Sequence, residues 1–166
     1  TAKLEVTEDI LINHITVGKG SGASIRNTAI GKNALSNNTI GDGNTAIGYS
    51  ALQVNNGGME NTANGAGALQ INTDGNKNTA IGSKALGMNR DGSKNTANGF
   101  SALGMNDVGI ENTAIGSHAL FHNLGGNRNT AIGDYALGMN VNGHKNTAIG
   151  DDALLNNLSG YNNTAL

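Results

Sequence analysis

The chain has no cysteine, no proline and no tryptophan, and only 3% of its 166 residues are aromatic. The missing cysteines exclude disulfides and thiol chemistry without fixing a compartment. The scarcity of aromatics removes the large side chains that fill most globular cores, so no ordinary enzyme domain is expected. An excess of one charge is lacking too. Ten Lys and Arg stand against twelve Asp and Glu, a formal net charge of −2, and neither sign gathers into a block. That balance argues against a nucleic-acid partner. No apolar run approaches the roughly 18 residues that span a bilayer, and residues 1–9 carry no signal-peptide pattern, so membrane insertion is not expected.

What the chain does have is 26 glycines and one strict repeat. The triplet N-T-A begins at Asn27, Asn44, Asn61, Asn78, Asn95, Asn112, Asn129, Asn146 and Asn163, always 17 residues apart. Residues 27–162 read as eight copies of N-T-A-[I/N]-G-x-x-A-L-x-x-N-x-x-G-x-x, with eight of the seventeen positions identical throughout. Positions are numbered 1–17 from the Asn of N-T-A. Seventeen residues are too few for a helix pair with its turns, and one invariant Leu is too little for a leucine-rich repeat. Short strands and turns remain, so the fold class expected is all-β: a parallel β-solenoid of eight coils. Stacked at the inter-strand spacing of roughly 4.8 Å, they make a rod about 38 Å long.

Stacking turns equal positions into columns. Leu35, Leu52, Leu69, Leu86, Leu103, Leu120, Leu137 and Leu154, with the Ala column from Ala34 to Ala153, are the expected core. Ile30, Ile47, Ile81, Ile115, Ile132 and Ile149 form a second apolar column, interrupted by Asn64 and Asn98 and expected to be half-buried. Asn38, Asn55, Asn72, Asn89, Asn106, Asn123, Asn140 and Asn157, like the Asn27 column, are expected to stack as amide ladders, each donating to the next coil and accepting from the last. The glycine columns from Gly31 and Gly41 are assigned to corners needing positive φ. Two residues beyond the Leu stand Val54, Ile71, Met88, Met105 and Met139, and period-two alternation places them on the Leu face.

Each coil orders seventeen residues around one Leu, two Ala and at most one Ile. So thin a core predicts an obligate oligomer in which neighbouring chains bury the Ile or Met column. Residues 1–26, with the β-branched I-L-I-N-H-I-T-V, read as an N-terminal strand and cap, made soluble by Lys3, Glu5, Glu8 and Asp9. Residues 163–166 begin a ninth coil. The chain opens on Thr1 rather than Met and stops within that coil, so a longer natural protein is expected.

N-T-A-I-G-x-x-A-L-x-x-N-x-x-G, preceded by I-T-V-G-K-G, resembles the repeats of phage tail-fibre proteins, a likeness covering 15–166. It implies a virion location, a structural role in host attachment as shaft or as binding region, and trimerisation. In related fibres such a region can precede an endosialidase-type chaperone that is cleaved after assembly. N-T-A-I-G is also similar to the head repeats of trimeric autotransporter adhesins, whose usual repeat is shorter. That likeness implies a left-handed β-roll, a homotrimer and, as the alternative location, the bacterial cell surface.

Chemistry is sparse. His118 and His122 have a spacing that suits a metal on a helix but not in a strand-and-turn coil. No Ser-His-Asp order recurs, and the carboxylates do not keep the register of calcium-binding β-rolls. The stacked pairs Asp74/Asp91 and Asp134/Asp151 read as solvated carboxylates rather than a cation site. No enzyme activity, metal or cofactor is expected. At position 17, Glu60, Lys77, Lys94, Glu111, Arg128 and Lys145 mostly alternate in sign, so Glu60–Lys77, Lys94–Glu111 and Glu111–Arg128 are expected to pair across coils. Tyr49, Phe100 and Tyr135, with His118, flank one Gly corner and are the candidate ligand residues, suited to stacking on a host cell-surface glycan. Packing against a neighbouring chain competes with that role. The Thr28–Thr164 column raises ice binding as a minor alternative, were it to face outward.

Overall fold

The computed structural model describes residues 9–12 and 15–166; Lys3, Glu5 and Glu8 lie outside them. The described chain contains no helix. It is a parallel β-solenoid of about eight turns with a 17-residue spacing, as its sequence implies. The hairpin strands β1 (Ile10–Ile12) and β2 (Ile15–Gly18) precede β3 (Thr28–Gly31), the T-A-I-G strand of the first coil. The same strand recurs as β5 (Thr45–Ile47), β7 (Thr62–Asn64), β8 (Thr79–Ile81), β9 (Thr96–Asn98), β10 (Thr113–Ile115), β11 (Thr130–Ile132), β12 (Thr147–Ile149) and β13 (Thr164–Ala165). With the hairpin these make one 11-stranded sheet in chain order. Identical residues sit in register, Thr113 on Thr130 and Ala114 on Ala131. A second line of pairing runs from β4 (Asn37–Asn38) and β6 (Val54–Asn55) through single bridges at Ile71, Met88, Met105, His122 and Met139.

Alternation along T-A-I points each Ala inward, and Ala46 to Ala148 of that column are fully buried. Facing them are the position-8 Ala column and the Leu column, whose Leu35 to Leu137 are also fully buried. The outward Ile residues remain 36 to 42% exposed.

Beyond the strand the backbone departs from simple alternation. Every Leu of the core column is left-handed, from Leu69 at φ 47° to Leu120 at 51°, and positions 7 and 17 are left-handed as well. For an L-residue each such conformation costs roughly 1–2 kcal/mol, so the core Leu enters the interior at the expense of local strain. The left-handed residue breaks the pleat, and alternation does not carry across it. Position 11 consequently faces outward, contrary to the sequence expectation: Met88 is 52% exposed while Leu86 is buried.

The two Asn columns do different work, and both run opposite to the direction expected. In the Asn38 column each amide donates to the previous coil, as Asn55 Nδ2 does to Asn38 Oδ1 at 2.7 Å and Asn123 Nδ2 to Asn106 Oδ1 at 2.8 Å. In the Asn27 column the side-chain oxygen accepts the backbone N–H of the following Asn, Asn95 N to Asn78 Oδ1 at 2.9 Å. Both columns also donate to the position-15 glycine carbonyl of their own coil; Gly109 O receives Asn95 Nδ2 at 2.8 Å and Asn106 Nδ2 at 3.0 Å. The two glycine columns differ correspondingly. Gly31 to Gly150 have φ between 121° and 144°, as a corner requires. The Gly41 column does not have positive φ and is glycine for space: a Cβ on Gly109 would lie 2.5 Å from Asn123 Nδ2 and 2.6 Å from Gly126 O.

The cap replaces a preceding coil. Strand β2 pairs antiparallel with β3, Val17 opposite Ile30, and the Asp9 carboxylate accepts Lys19 N at 2.7 Å and Gly20 N at 3.1 Å. Ser21 N donates to Leu35 O at 3.0 Å, and Ser21 Oγ accepts Asn38 N at 2.7 Å.

Candidate functional site

Positions 6 and 7 follow the Gly corner and precede the buried Ala-Leu pair; the small Ser50 and Ser101 of position 7 are buried, whereas the larger aromatic side chains leave the rod. Tyr49, Phe100 and Tyr135 are all exposed. They do not form one site. Tyr49 belongs to the second coil and Phe100 to the fifth, about 14 Å along the rod. Phe100 and Tyr135 lie two coils apart and are bridged by His118. Its ring centroid is 5.2 Å from Phe100, edge-on, and 4.6 Å from Tyr135, stacked at 9°. Phe121 and His122 extend the cluster, with His118–Phe121 at 5.4 Å and Phe121–His122 at 5.0 Å. His118 Nδ1 lies 3.0 Å from Ser117 Oγ.

Sequence reasoning missed Phe121. The signal available was position 10, where Gly104 and Gly138 flank it: the ring lies over Gly104, whose Cβ would meet Phe121 Cε2 at 2.7 Å. Gly87 and Gly104, both at position 10, floor a trough of about 370 Å³ that Phe121 closes at one end. Its walls are Met88 and Met105 on one side and Lys84 and Ser101 on the other. The outward Met column is thus a ridge, with Arg90, Asp107 and Leu124 lining a further groove on its far side.

Charges follow the column logic. Lys77–Glu60 lie at 3.8 Å, Lys94–Glu111 at 3.4 Å and Arg128–Glu111 at 2.8 Å. The Arg128 hydrogen bond, and then that from Lys94, hold the Glu111 carboxyl below its ordinary range. Arg90 and Asp107, at position 13 of neighbouring coils, form a bidentate pair that position 17 did not reveal. The hydrogen bond from Arg90 lowers the Asp107 carboxyl, and Asp107 raises the guanidinium in turn. The cationic partners are largely exposed and the Asp107 and Glu111 side chains are 31% and 34% exposed, so the pairs set register more than stability.

Among the described residues no three His, Asp or Glu side chains gather as a metal site, and His118 and His122 are parted by the left-handed turn at Leu120. The described residues include no helix long and apolar enough to cross a membrane. Comparison of the chain with protein-family models, curated proteins and solved structures returned no match.

Proposed function

We propose that the chain is a non-enzymatic structural segment of a phage tail fibre, assembled as a homotrimer and serving host attachment as a stiff shaft or as a surface that meets the host. The supporting observation is the face of outward Thr and half-exposed Ile, interrupted only at Asn64 and Asn98, that runs along in-register parallel strands from β3 to β12. Such a face is costly to leave in water and is available to pack along a second and third rod. The thin Ala-Leu core supports the same reading, since each chain gains burial from neighbours that its own coils do not supply.

Sedimentation of the purified chain at nanomolar concentration tests the assembly. A species of three times the chain mass is expected, and a folded monomer would sink the proposal. Adsorption of the labelled trimer to a panel of bacteria then separates shaft from host-contacting segment. The outward Thr column favours one further reading, water ordering at an ice surface. Its neighbour is Ile or Asn rather than a second Thr, and absence of thermal hysteresis removes it.

A further inference from the structure

The edge formed by positions 16 and 17 changes character along the rod. From Glu60 to Arg128 the charges pair across coils, whereas Lys145 has no carboxylate partner among the described residues. Residues 125–128, 142–145 and 159–162 of the sixth to eighth coils contain no acid at all. Here Asn127, Arg128, His144, Lys145 and Tyr161 line a groove of about 380 Å³.

The hydrogen bonds beneath the groove fix which atoms it presents. Asn127 Oδ1 accepts Ile110 N at 2.7 Å, so the carboxamide turns its NH₂ outward. His144 Nδ1 accepts Asn127 N at 2.9 Å, so the proton of the neutral ring is on Nε2. Arg128 spends its Nε–H on Glu111, which leaves the four Nη–H groups. With the Lys145 ammonium these present mainly donors, because Asn127 Oδ1 and His144 Nδ1 are consumed by the backbone of the preceding coil; the Asn162 carboxamide and the Tyr161 hydroxyl complete the lining. Tyr161 adds an apolar wall, 60% exposed, its ring stacked on His144 with centroids 5.2 Å apart.

A groove of donors beside one aromatic face is complementary to a ligand that carries negative charge on one edge and C–H groups on another. We infer that it is a binding site for a carboxylate-bearing sugar unit of an acidic polysaccharide. The sugar's C–H face lies on Tyr161, its carboxylate meets Lys145 and the Arg128 Nη groups, and its hydroxyls accept from His144 Nε2 and the Asn127 amide. The volume suits one or two sugar rings, and the groove is open, as a polymer passing through requires. The site stands on these residues alone and does not depend on the tail-fibre reading.

Calorimetric titration of the full chain with a short oligogalacturonate tests it, using a neutral malto-oligosaccharide, an oligoglutamate and inorganic phosphate as comparison probes. The acidic oligosaccharide is expected to bind, more weakly at high salt, and the neutral one not to bind. Lys145→Gln should weaken binding roughly tenfold or more, as loss of a charge-assisted hydrogen bond does. Tyr161→Ala should weaken it about three- to tenfold. Both side chains are exposed, and an unchanged melting temperature and sedimentation coefficient confirm that the variants stay folded. No binding by oligogalacturonate, binding indifferent to both substitutions, or equal binding of oligoglutamate or phosphate overturns the assignment. The last result would mean a plain cationic patch.

Discussion

Replacing Asn106 by Asp changes one NH₂ to an oxygen and leaves the shape alone, which makes it a sharp probe of the amide ladder. Asn106 is fully buried; its Nδ2 donates to Asn89 Oδ1 at 2.6 Å and to Gly109 O at 3.0 Å, while its Oδ1 accepts from Asn123 Nδ2 at 2.8 Å. The substitution loses both donated bonds, about 1 kcal/mol each. It also sets a carboxylate against two acceptors, and burial of that kind raises a carboxyl by roughly 3 units from its ordinary 3.9, costing about 4 kcal/mol at neutral pH. A folded-state pKa above the unfolded one means that the folded state holds the proton more tightly. The penalty is therefore absent below about pH 4, grows as pH rises toward about 7, and is constant above that. Protonation also returns one donor to Asn89 Oδ1.

Urea unfolding followed by far-ultraviolet circular dichroism, at fixed protomer concentration and several pH values, measures the difference from the native chain. About 6 kcal/mol per chain is expected at pH 7, falling to about 1–2 below pH 4. Asn98→Asp, at an exposed strand position, should stay within about 0.5 kcal/mol throughout. A pH-independent loss at Asn106, or one no larger than at Asn98, would refute the ladder as a source of stability.

Leu103→Ala empties part of the core column and should cost about 2–5 kcal/mol per chain, read as a lower melting temperature; a neutral result would mean that the Leu column does not carry the core. Gly82→Ala should prevent folding or cost more than about 3 kcal/mol, because φ is 121° and the new Cβ would lie 2.6 Å from Gly99 O. Gly87→Ala, where the nearest atom is 3.1 Å away and φ is not positive, should cost less than about 1.5 kcal/mol and narrow the trough. Arg90→Gln should let the Asp107 carboxyl titrate at a higher pH in a carbon-detected NMR titration. Whatever stability that pair contributes is present above the ordinary Asp pKa and lost as pH falls through the lowered one, so the acid limb of the unfolding curve should flatten in the variant.

The period of the repeat was enough to place the coils, the buried Leu and Ala columns, the half-exposed Ile column and the three position-17 ion pairs, because each depends only on which residues recur every seventeen. What the period does not contain is the backbone within a coil. A left-handed Leu has no sequence mark, since Leu rarely adopts that conformation, and it sends Met88 and Met105 outward where alternation sends them in. The Gly41 column looks like a turn glycine, yet its reason lies in an amide from another coil 2.1 to 2.9 Å from where its Cβ would be. The candidate aromatics were legible as exposed but not as neighbours, because Tyr49 and Phe100 share a position without sharing a place on the rod. Phe121 enters their cluster through a gap left by glycine, a relation between coils rather than a motif within one.

The hydrogen bonds between coils all lie along the rod axis, which gives the molecule a definite mechanical character. A pull on its two ends loads one coil interface after another in series, while the bonds within an interface share the load in parallel. Tensile strength is then set by the weakest interface and is independent of length, whereas compliance grows with every coil added. The pairing of β1 with β2 is three residues long and lacks the second line of bridges and the Asn ladders that join the coils, so a force applied from that end is predicted to peel the hairpin before the coil behind it opens.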